Sequence, residues 1–549
     1  MVREAIQTAL VEAVRGLGVD GELPDLELGK ARDPQHGDYA TSAGLKLARI
    51  LRESPAEIAR RIAATVRVAD GAADAEAVGG YVNFRLNGGW LQRLVSSVRP
   101  SYGAVDLGRG ERLQVEFGSV NPTGPLHIGH GRGVTLGDSL CRLLEFTGHR
   151  VQREYYVNSD NTQTRRFGAS VYARLHGQEP PEGGYTGEYV IELAEMARRD
   201  LPGIEDLPED EADPKLRMYA IDKMVDRIRA TVARVNVRYD EWFYENKLWE
   251  SGLPQRAIER LRETGNIKER DGALWFGESG AAGAAPAKDE DGEEDRVVIR
   301  ANGQPTYFAS DLGYLLSRFE DRRYERVIEV WASDHHGYVP RMKSAASALG
   351  FAADKLVIIL HQMVNLKEGK MSKRAGRFVT LDELIDRVGS DAVRYFYLLR
   401  SPDTTIEFDL ELAVTQGNEN PVYYAQYAHA RLSNVEAAAR ERHPRLPDDA
   451  DVSLLTQPWE LDVARQLAFW PDVIADATLL LEPHRIPYYV HDLATSVHRF
   501  YHAGNAQSEH RVVVDDPELT RARLELCRAA RHTLKTALDL MGVSAPERM

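Results

Sequence analysis

Apolar positions along this chain follow three different spacings. Over 2–17 and 41–66 they recur every three or four residues, the period of helices with one buried face. Over 79–86 they alternate, as in a half-buried strand, and a helix is expected next near Trp90. Residues 112–117 form a short, mostly apolar run of strand length. A loop rich in Pro and Gly follows, then a helical pattern through 134–140. Strand, loop and helix in that order open an α/β nucleotide-binding half. Two further buried strands are expected at 327–331 and 356–360, flanking a helix around 341–349, so a second βαβ-like half is expected. The insertion between the halves has its clearest helix at 215–235. A hairpin is expected from 273–276 and 297–300, with Asn302-Gly303 as the turn signal. The small and acidic residues of 279–295 read as a disordered loop on that hairpin. From about Ser390 the pattern is almost wholly helical, with Ser390 able to cap a helix that runs to Arg400.

The spacing therefore divides the chain into an α+β unit over 1–108, an α/β core over 109–389 with its insertion at about 160–300, and an all-α bundle over 390–549. Hydrophobic content of 43% and charged content of 28% suit an ordinary globular protein of this division. No apolar run reaches the roughly 18 residues that a membrane span requires. The first helical pattern contains Glu4 and Glu12, unlike a signal or transit peptide, so a cytoplasmic protein is expected. Cys141 and Cys527 are the only cysteines, which excludes a disulfide framework and a multi-cysteine zinc site. A net charge of −15 argues against a generally basic nucleic-acid coat, but a local basic face would still serve for phosphate contacts.

The loop after the 112–117 strand reads VNPTGPLHIGHGR and places His127 and His130 three residues apart. Such a pair could ligate zinc on a helix face, yet no third ligand is obvious nearby and no glutamate separates the two. The position suits an anion better. Free N–H groups and the dipole at a helix start attract phosphate, and histidine N–H groups can add donors. Gly129 and Gly131 leave room for a flat base to approach the backbone. A second phosphate-binding candidate is EGKMSKRAG, with Lys370 and Lys373 on a glycine-flanked loop after a predicted strand. A charge run alone is usually a solvated face. Thr380 and Glu383 then form a capping box that starts the next helix.

HIGH followed about 240 residues later by KMSK resembles the paired signature of class I aminoacyl-tRNA synthetases. VEFGSVNPTGPLHIGHGR, YFASDLGY from Tyr307, WASDHHGYVPR, SDAVRYFYLLR, ENPVYYAQYAHARL and the final GVSAPERM resemble the segments of arginyl-tRNA synthetases, over essentially the whole chain. The resemblance implies a Rossmann-like class I catalytic core, an additional N-terminal domain that contacts the tRNA elbow, and a C-terminal anticodon-binding bundle. It implies that Thr123, Gly124, His127, Gly129 and His130 hold ATP from one side and Lys370, Met371, Ser372 and Lys373 from the other. The two histidines and two lysines would be the catalytic groups. Glu116, Asn121, Tyr307, Asp311 and His335 would form the arginine pocket, with Asp311 on the guanidinium and Glu116 and Asn121 on the α-amino group or the neighbouring backbone. Tyr81, Asn83 and Phe84 would touch the elbow, and Asn420, Tyr423, Tyr427 and His429 the anticodon stem and loop.

The implied reaction uses ATP with Mg²⁺, without zinc, to convert L-arginine to arginyl-adenylate. The arginyl group then passes to the terminal ribose of tRNA(Arg). By the same resemblance the first step requires tRNA and the enzyme acts as a monomer, without a membrane partner. No editing is expected, because a site that hydrogen-bonds a polar side chain rejects analogues by roughly 10⁴–10⁵ unaided.

Overall fold

The computed structural model of the protein describes residues 1–277, 297–367 and 380–549. The chain forms two compact units. One combines 1–105 with 416–540 and 544–549, and the other holds 106–415 and 541–543.

The second unit is built on five parallel strands in the order Leu356–His361, Arg326–Ala332, Arg112–Phe117, Arg150–Val157, Glu241–Tyr244. Arg112–Phe117 is central. The helix Ile128–Phe146 carries the chain from it to Arg150–Val157 on one side, and Arg326–Ala332 pairs on the other side. The strand order thus reverses at the central strand, and in such sheets ligands bind in the crevice beyond the carboxyl ends at that point. A Cβ at Gly137 would lie 2.1 Å from the Phe117 ring, so glycine lets this helix rest directly on the central strand. The insertion contributes the helices Thr162–Leu175, Glu188–Asp200 and Glu209–Arg234, which share a core of Phe167, Val171, Leu193, Leu216 and Met224. It also contributes an antiparallel sheet of Ile267–Arg270, Ala273–Phe276 and Val297–Ile299. The expected hairpin partners therefore pair. Asn302-Gly303, however, does not join them: it turns the chain back after Val297–Ile299, where Arg300 N–H donates to the Gln304 carbonyl at 2.8 Å. The segment 279–295 lies outside the described residues.

A buried guanidinium ties this unit together. Arg394 reaches Asp138 at 2.7 Å, the Val235 carbonyl at 2.7 Å and the Met541 carbonyl. Gly542 is required beside it, since a Cβ there would fall 2.3 Å from the guanidinium carbon. Ser390 is the first residue of the helix Ser390–Leu398 rather than its cap. Gly389, with φ 82°, stands at the cap position and turns the chain out of the preceding helix Leu381–Val388.

The first unit joins a four-stranded antiparallel sheet, ordered Gly29–Lys30, Tyr39–Thr41, Tyr81–Leu86, Ala73–Val78, to the long helices Pro421–Arg442, Pro458–Leu479, Arg485–Ala506 and Pro517–Met541. Arg3 makes a two-pronged contact with Asp476 at 2.8 and 2.6 Å, and the Trp470 indole donates to the Tyr102 carbonyl at 2.9 Å. The helical pattern of 41–66 resolves into Ala43–Leu51 and Pro55–Thr65. Arg52 takes a left-handed conformation and Ser54 caps the second helix, whose first residue is Pro55, so the apolar period continues while the backbone breaks. Among the described residues, no helix is long and apolar enough to cross a membrane.

Candidate active site

His127 is the N-cap of the helix Ile128–Phe146, at the crevice end of the central strand. Its Nδ1 accepts from Gly129 N–H at 3.1 Å, while His130 Nδ1 accepts from His127 N–H at 3.3 Å. The two rings stack with centroids 3.4 Å apart. Because each Nδ1 is an acceptor, each proton sits on Nε2, and both rings present an Nε2–H donor. Burial holds both imidazoles neutral. His130 is pushed down to about 3 by burial, with His127 and His361 adding to the effect, and burial lowers His127 as well. The pair is therefore neither cationic nor poised for acid–base work at neutral pH. It offers fixed, neutral N–H donors beside the free N–H groups of a helix start. Gly131 does not leave room for a base: a Cβ there would meet Leu381 at 2.8 Å and Tyr397 at 2.9 Å, so its bareness serves packing. At Gly129 the space is filled by the His127 ring, 2.9 Å from the same point. Thr123 is buried and Gly124 half-buried, and the Thr123 carbonyl accepts from the Tyr189 hydroxyl at 2.7 Å.

Lys370, Met371, Ser372 and Lys373 lie outside the described residues. The residues that flank them are anchored by polar contacts. Lys367 pairs with Asp409 at 2.8 Å before the segment. After it, Leu381 N–H donates to the Leu126 carbonyl at 2.7 Å and Thr380 bridges His127. The capping box of Thr380 and Glu383 is present.

Asp311 and Tyr307 lie on the helix Tyr307–Leu316, and the Tyr338 hydroxyl donates to the Asp311 carboxylate. Burial raises the Asp311 carboxyl to about 6, with the Tyr338 bond pulling it down and Glu329 pushing it up. The Arg341 guanidinium lies 3.7 Å over the Tyr338 ring. His335 is exposed on the turn Ser333–Tyr338, its ring 6.1 Å from that of Trp331. The sequence WASDHHGY had drawn attention to His335, whereas Tyr338 makes the bond to Asp311. Asn121 is half-buried and held on both sides of its amide: it donates to Gln163 Oε1 and accepts from Asn161 Nδ2, each at 2.9 Å. Sequence reasoning missed both partners, although the polar run NSDNTQ after the Arg150–Val157 strand was the available signal. Glu116 lies on the central strand with Arg318 Nη1 at 3.4 Å, and burial raises its carboxyl well above the usual range.

The RNA candidates separate by exposure. Tyr81 is 49% exposed, whereas Asn83 is 7% and Phe84 0% exposed. Phe84 is therefore a core ring whose faces are covered, and stacking on an RNA base is not open to it in this structure. Asn420 is buried as the N-cap of Pro421–Arg442, accepting from Val422 N–H at 3.1 Å. His429 is buried with Nδ1 2.9 Å from the Pro546 carbonyl. Tyr423 and Tyr427 remain half-buried and stacked at 5.7 Å, with the Arg431 guanidinium 4.1 Å over the Tyr427 ring and 3.1 Å from His498. Arg431 and His498 complete an aromatic and cationic face that the tyrosines alone had suggested.

The chain is similar to known protein families over three stretches. "Arginyl tRNA synthetase N terminal domain" matches residues 1–86, and "tRNA synthetases class I (R), catalytic domain" matches 94–179 and 192–430. "DALR anticodon binding domain" matches 425–549. An arginine–tRNA ligase of Moorella thermoacetica is 44% identical, aligned over 96% of this chain and 94% of its own. One of Desulforudis audaxviator is 42% identical over 100% and 99%. The solved arginyl-tRNA synthetase of Thermus thermophilus is 25% identical, with a TM-score of 0.79, and covers all of both chains.

Proposed function

We infer how the site works from one premise: the chain belongs to the arginyl-tRNA synthetases of class I. It is an arginine–tRNA ligase that uses ATP to aminoacylate tRNA(Arg). The proposed course has two steps. The arginine carboxylate attacks the α-phosphorus of MgATP in line, pyrophosphate leaves, and arginyl-adenylate remains. The terminal ribose hydroxyl of tRNA(Arg) then attacks the adenylate carbonyl carbon and AMP leaves. In the first step the protein mainly positions reactants and stabilises charge.

Each named residue has a part in that reading. His127 and His130 donate Nε2–H to the ATP phosphates, and Thr123, Gly124 and Gly129 line the same side. Lys370 and Lys373, with Met371 and Ser372, close on the departing pyrophosphate. Asp311 takes the guanidinium, Tyr307 and His335 flank it, and Glu116 and Asn121 hold the α-ammonium. Mg²⁺ enters with ATP as part of the substrate. Residues 1–108 take the tRNA elbow through Tyr81, and the helical bundle takes the anticodon arm through Tyr423 and Tyr427. The described part of the insertion is filled by helices and a small sheet, which supports a ligase without an editing domain. The reading also includes a cytoplasmic location and a monomer, and light scattering of the purified protein tests the monomer.

The observation that carries the arginine specificity is the Asp311 carboxylate, oriented by Tyr338 at the crevice of a class I sheet. Arginine-dependent ATP–pyrophosphate exchange is the test. Exchange that requires both arginine and tRNA(Arg) is expected. Exchange at full rate without tRNA would remove the tRNA requirement, and exchange supported equally by lysine would remove the pocket assignment.

A further inference from the structure

Four glutamates stand at one register across four adjacent parallel strands: Glu241 opposite Glu154, Glu154 opposite Glu116, and Glu116 opposite Glu329. Side chains at paired positions share a face, and like charges on neighbouring strands about 4.8 Å apart destabilise the sheet unless they are compensated. Lys247 approaches Glu241 at 3.5 Å. Arg322 bonds Glu154 through Nη2 at 3.1 Å, and the Tyr314 hydroxyl also donates to Glu154. Arg318 bonds Glu329 closely and reaches Glu116 only at 3.4 Å, with its guanidinium 4.0 Å over the Tyr314 ring. The three inner carboxyl groups thus share two guanidiniums, and a shortfall of one cation remains. It falls to Glu116, which has the longest contact. Glu116 also has the most exposed residue surface of the three, 8% against 2% for Glu329 and 0% for Glu154.

We propose that Glu329 and Arg318 are positioning residues for the α-ammonium of arginine. Acting through Glu116, they fix its carboxyl group and leave it without a cation of its own, so that it ionises as the ammonium arrives. This rests on the reading of Glu116 as an arginine contact. The remaining groups that face Glu116 are Glu154 across the adjacent strand, the Ser119 hydroxyl, and the phenols of Tyr156, Tyr239 and Tyr314, which burial keeps un-ionised. Burial and Glu329 both favour a proton on Glu116, and Arg318 opposes it. A cation arriving at Glu116 therefore expels that proton. Glu329→Gln removes the competing charge, so Arg318 turns wholly to Glu116. The cluster then has no charge left over, and Glu116 ionises at lower pH.

The test measures steady-state kinetics in arginine with saturating ATP and tRNA across pH 5.5–8.5. Glu329→Gln should raise the arginine KM roughly tenfold with kcat within about twofold. It should also move the upper acid step of kcat/KM for arginine to lower pH. Glu329→Asp, which keeps the charge, should retain that step, and Arg318→Gln should move it the opposite way. Binding of arginine to the unaltered enzyme should release a fraction of a proton at pH 7, read as a dependence of binding enthalpy on the buffer. That measurement decides the matter if the variants do not fold. An unmoved acid step in Glu329→Gln, or no proton release, overturns the proposal. Glu116→Gln separates the two ideas. An unchanged arginine KM there removes Glu116 from the substrate, and the proposal falls with it. A raised KM there, beside an unmoved step in Glu329→Gln, overturns the positioning role alone.

Discussion

The Tyr338 hydroxyl donates to the Asp311 carboxylate across 27 residues of chain, joining the helix Tyr307–Leu316 to the turn Ser333–Tyr338. The bond favours the ionised carboxylate, while burial favours the protonated one, and the balance lies at about 6. Arginine needs the ionised form. Its kcat/KM is therefore expected to fall as pH drops through about 6. Tyr338→Phe removes the ionising bond, so the same fall should begin at higher pH. Asp311→Asn should raise the arginine KM by about a hundredfold and leave the ATP KM nearly unchanged. An arginine KM within twofold of the parent would take Asp311 out of the pocket.

His127 has two duties that substitution can separate. Its Nδ1 caps a helix, and its Nε2–H is the donor assigned to the ATP phosphates. Asparagine is a good cap but cannot place a donor where Nε2 stood. His127→Asn should melt close to the parent temperature yet lose about a hundredfold in pyrophosphate exchange. His127→Ala should lose about 1 kcal/mol of stability as well. Because burial lowers both histidines, His130 to about 3, the neutral forms prevail at neutral pH, and neither should contribute a step to the ATP KM above pH 7. Equal melting and equal activity in both variants would disprove the assignment.

On the four-stranded sheet of the first unit, exposure separates function from packing. Tyr81→Ala should raise the tRNA KM without changing the melting temperature. Phe84→Ala removes a fully buried ring and should cost about 3–5 kcal/mol. Urea unfolding beside aminoacylation kinetics reads both, and a stable Phe84→Ala would contradict its core placement.

Arg394 and Asp138 are both buried and 2.7 Å apart. Asp138→Ala would leave the guanidinium without its counter-charge, and a loss of about 3–5 kcal/mol is expected in the unfolding of the catalytic unit. A double variant with Arg394→Leu should recover part of that loss, because the fully buried cation is then gone, while Arg142, which also pairs with Asp138 at 2.7 Å, is partly exposed to water. Failure of the second change to recover anything would mean that the bonds from Arg394 to Val235 and Met541, rather than the charge, set the cost.

Legibility in the sequence followed burial. The strands Arg112–Phe117, Arg326–Ala332 and Leu356–His361 were readable because most of their side chains are apolar and covered. Arg150–Val157 and Glu241–Tyr244 were not, since Gln152, Arg153 and Glu154 break up the first and only three apolar residues follow Glu241 in the second. The charges of Glu154 and Glu241 are satisfied by Arg322 and Lys247, which only the fold brings near. The site shows the same split. His127 and His130 are three apart in the chain and announce themselves. The clasp on Asn121 comes from Asn161 and Gln163, about 40 residues on, and no local pattern encodes it. Burial likewise moved Asn420 and His429 from a readable RNA stripe to helix capping and tail anchoring.

The first unit is assembled from both ends of a long interruption, and this bears on its synthesis. Arg3 must wait for Asp476, 473 residues later, before its contact can form. At about 5–20 residues per second that delay is roughly 25–95 s on the ribosome. Throughout it the apolar faces of Val2–Arg15 and of the small sheet lack their helical partners. A nascent chain of this protein is therefore expected to engage holding chaperones early and release them late. The catalytic sheet meanwhile completes its five strands first.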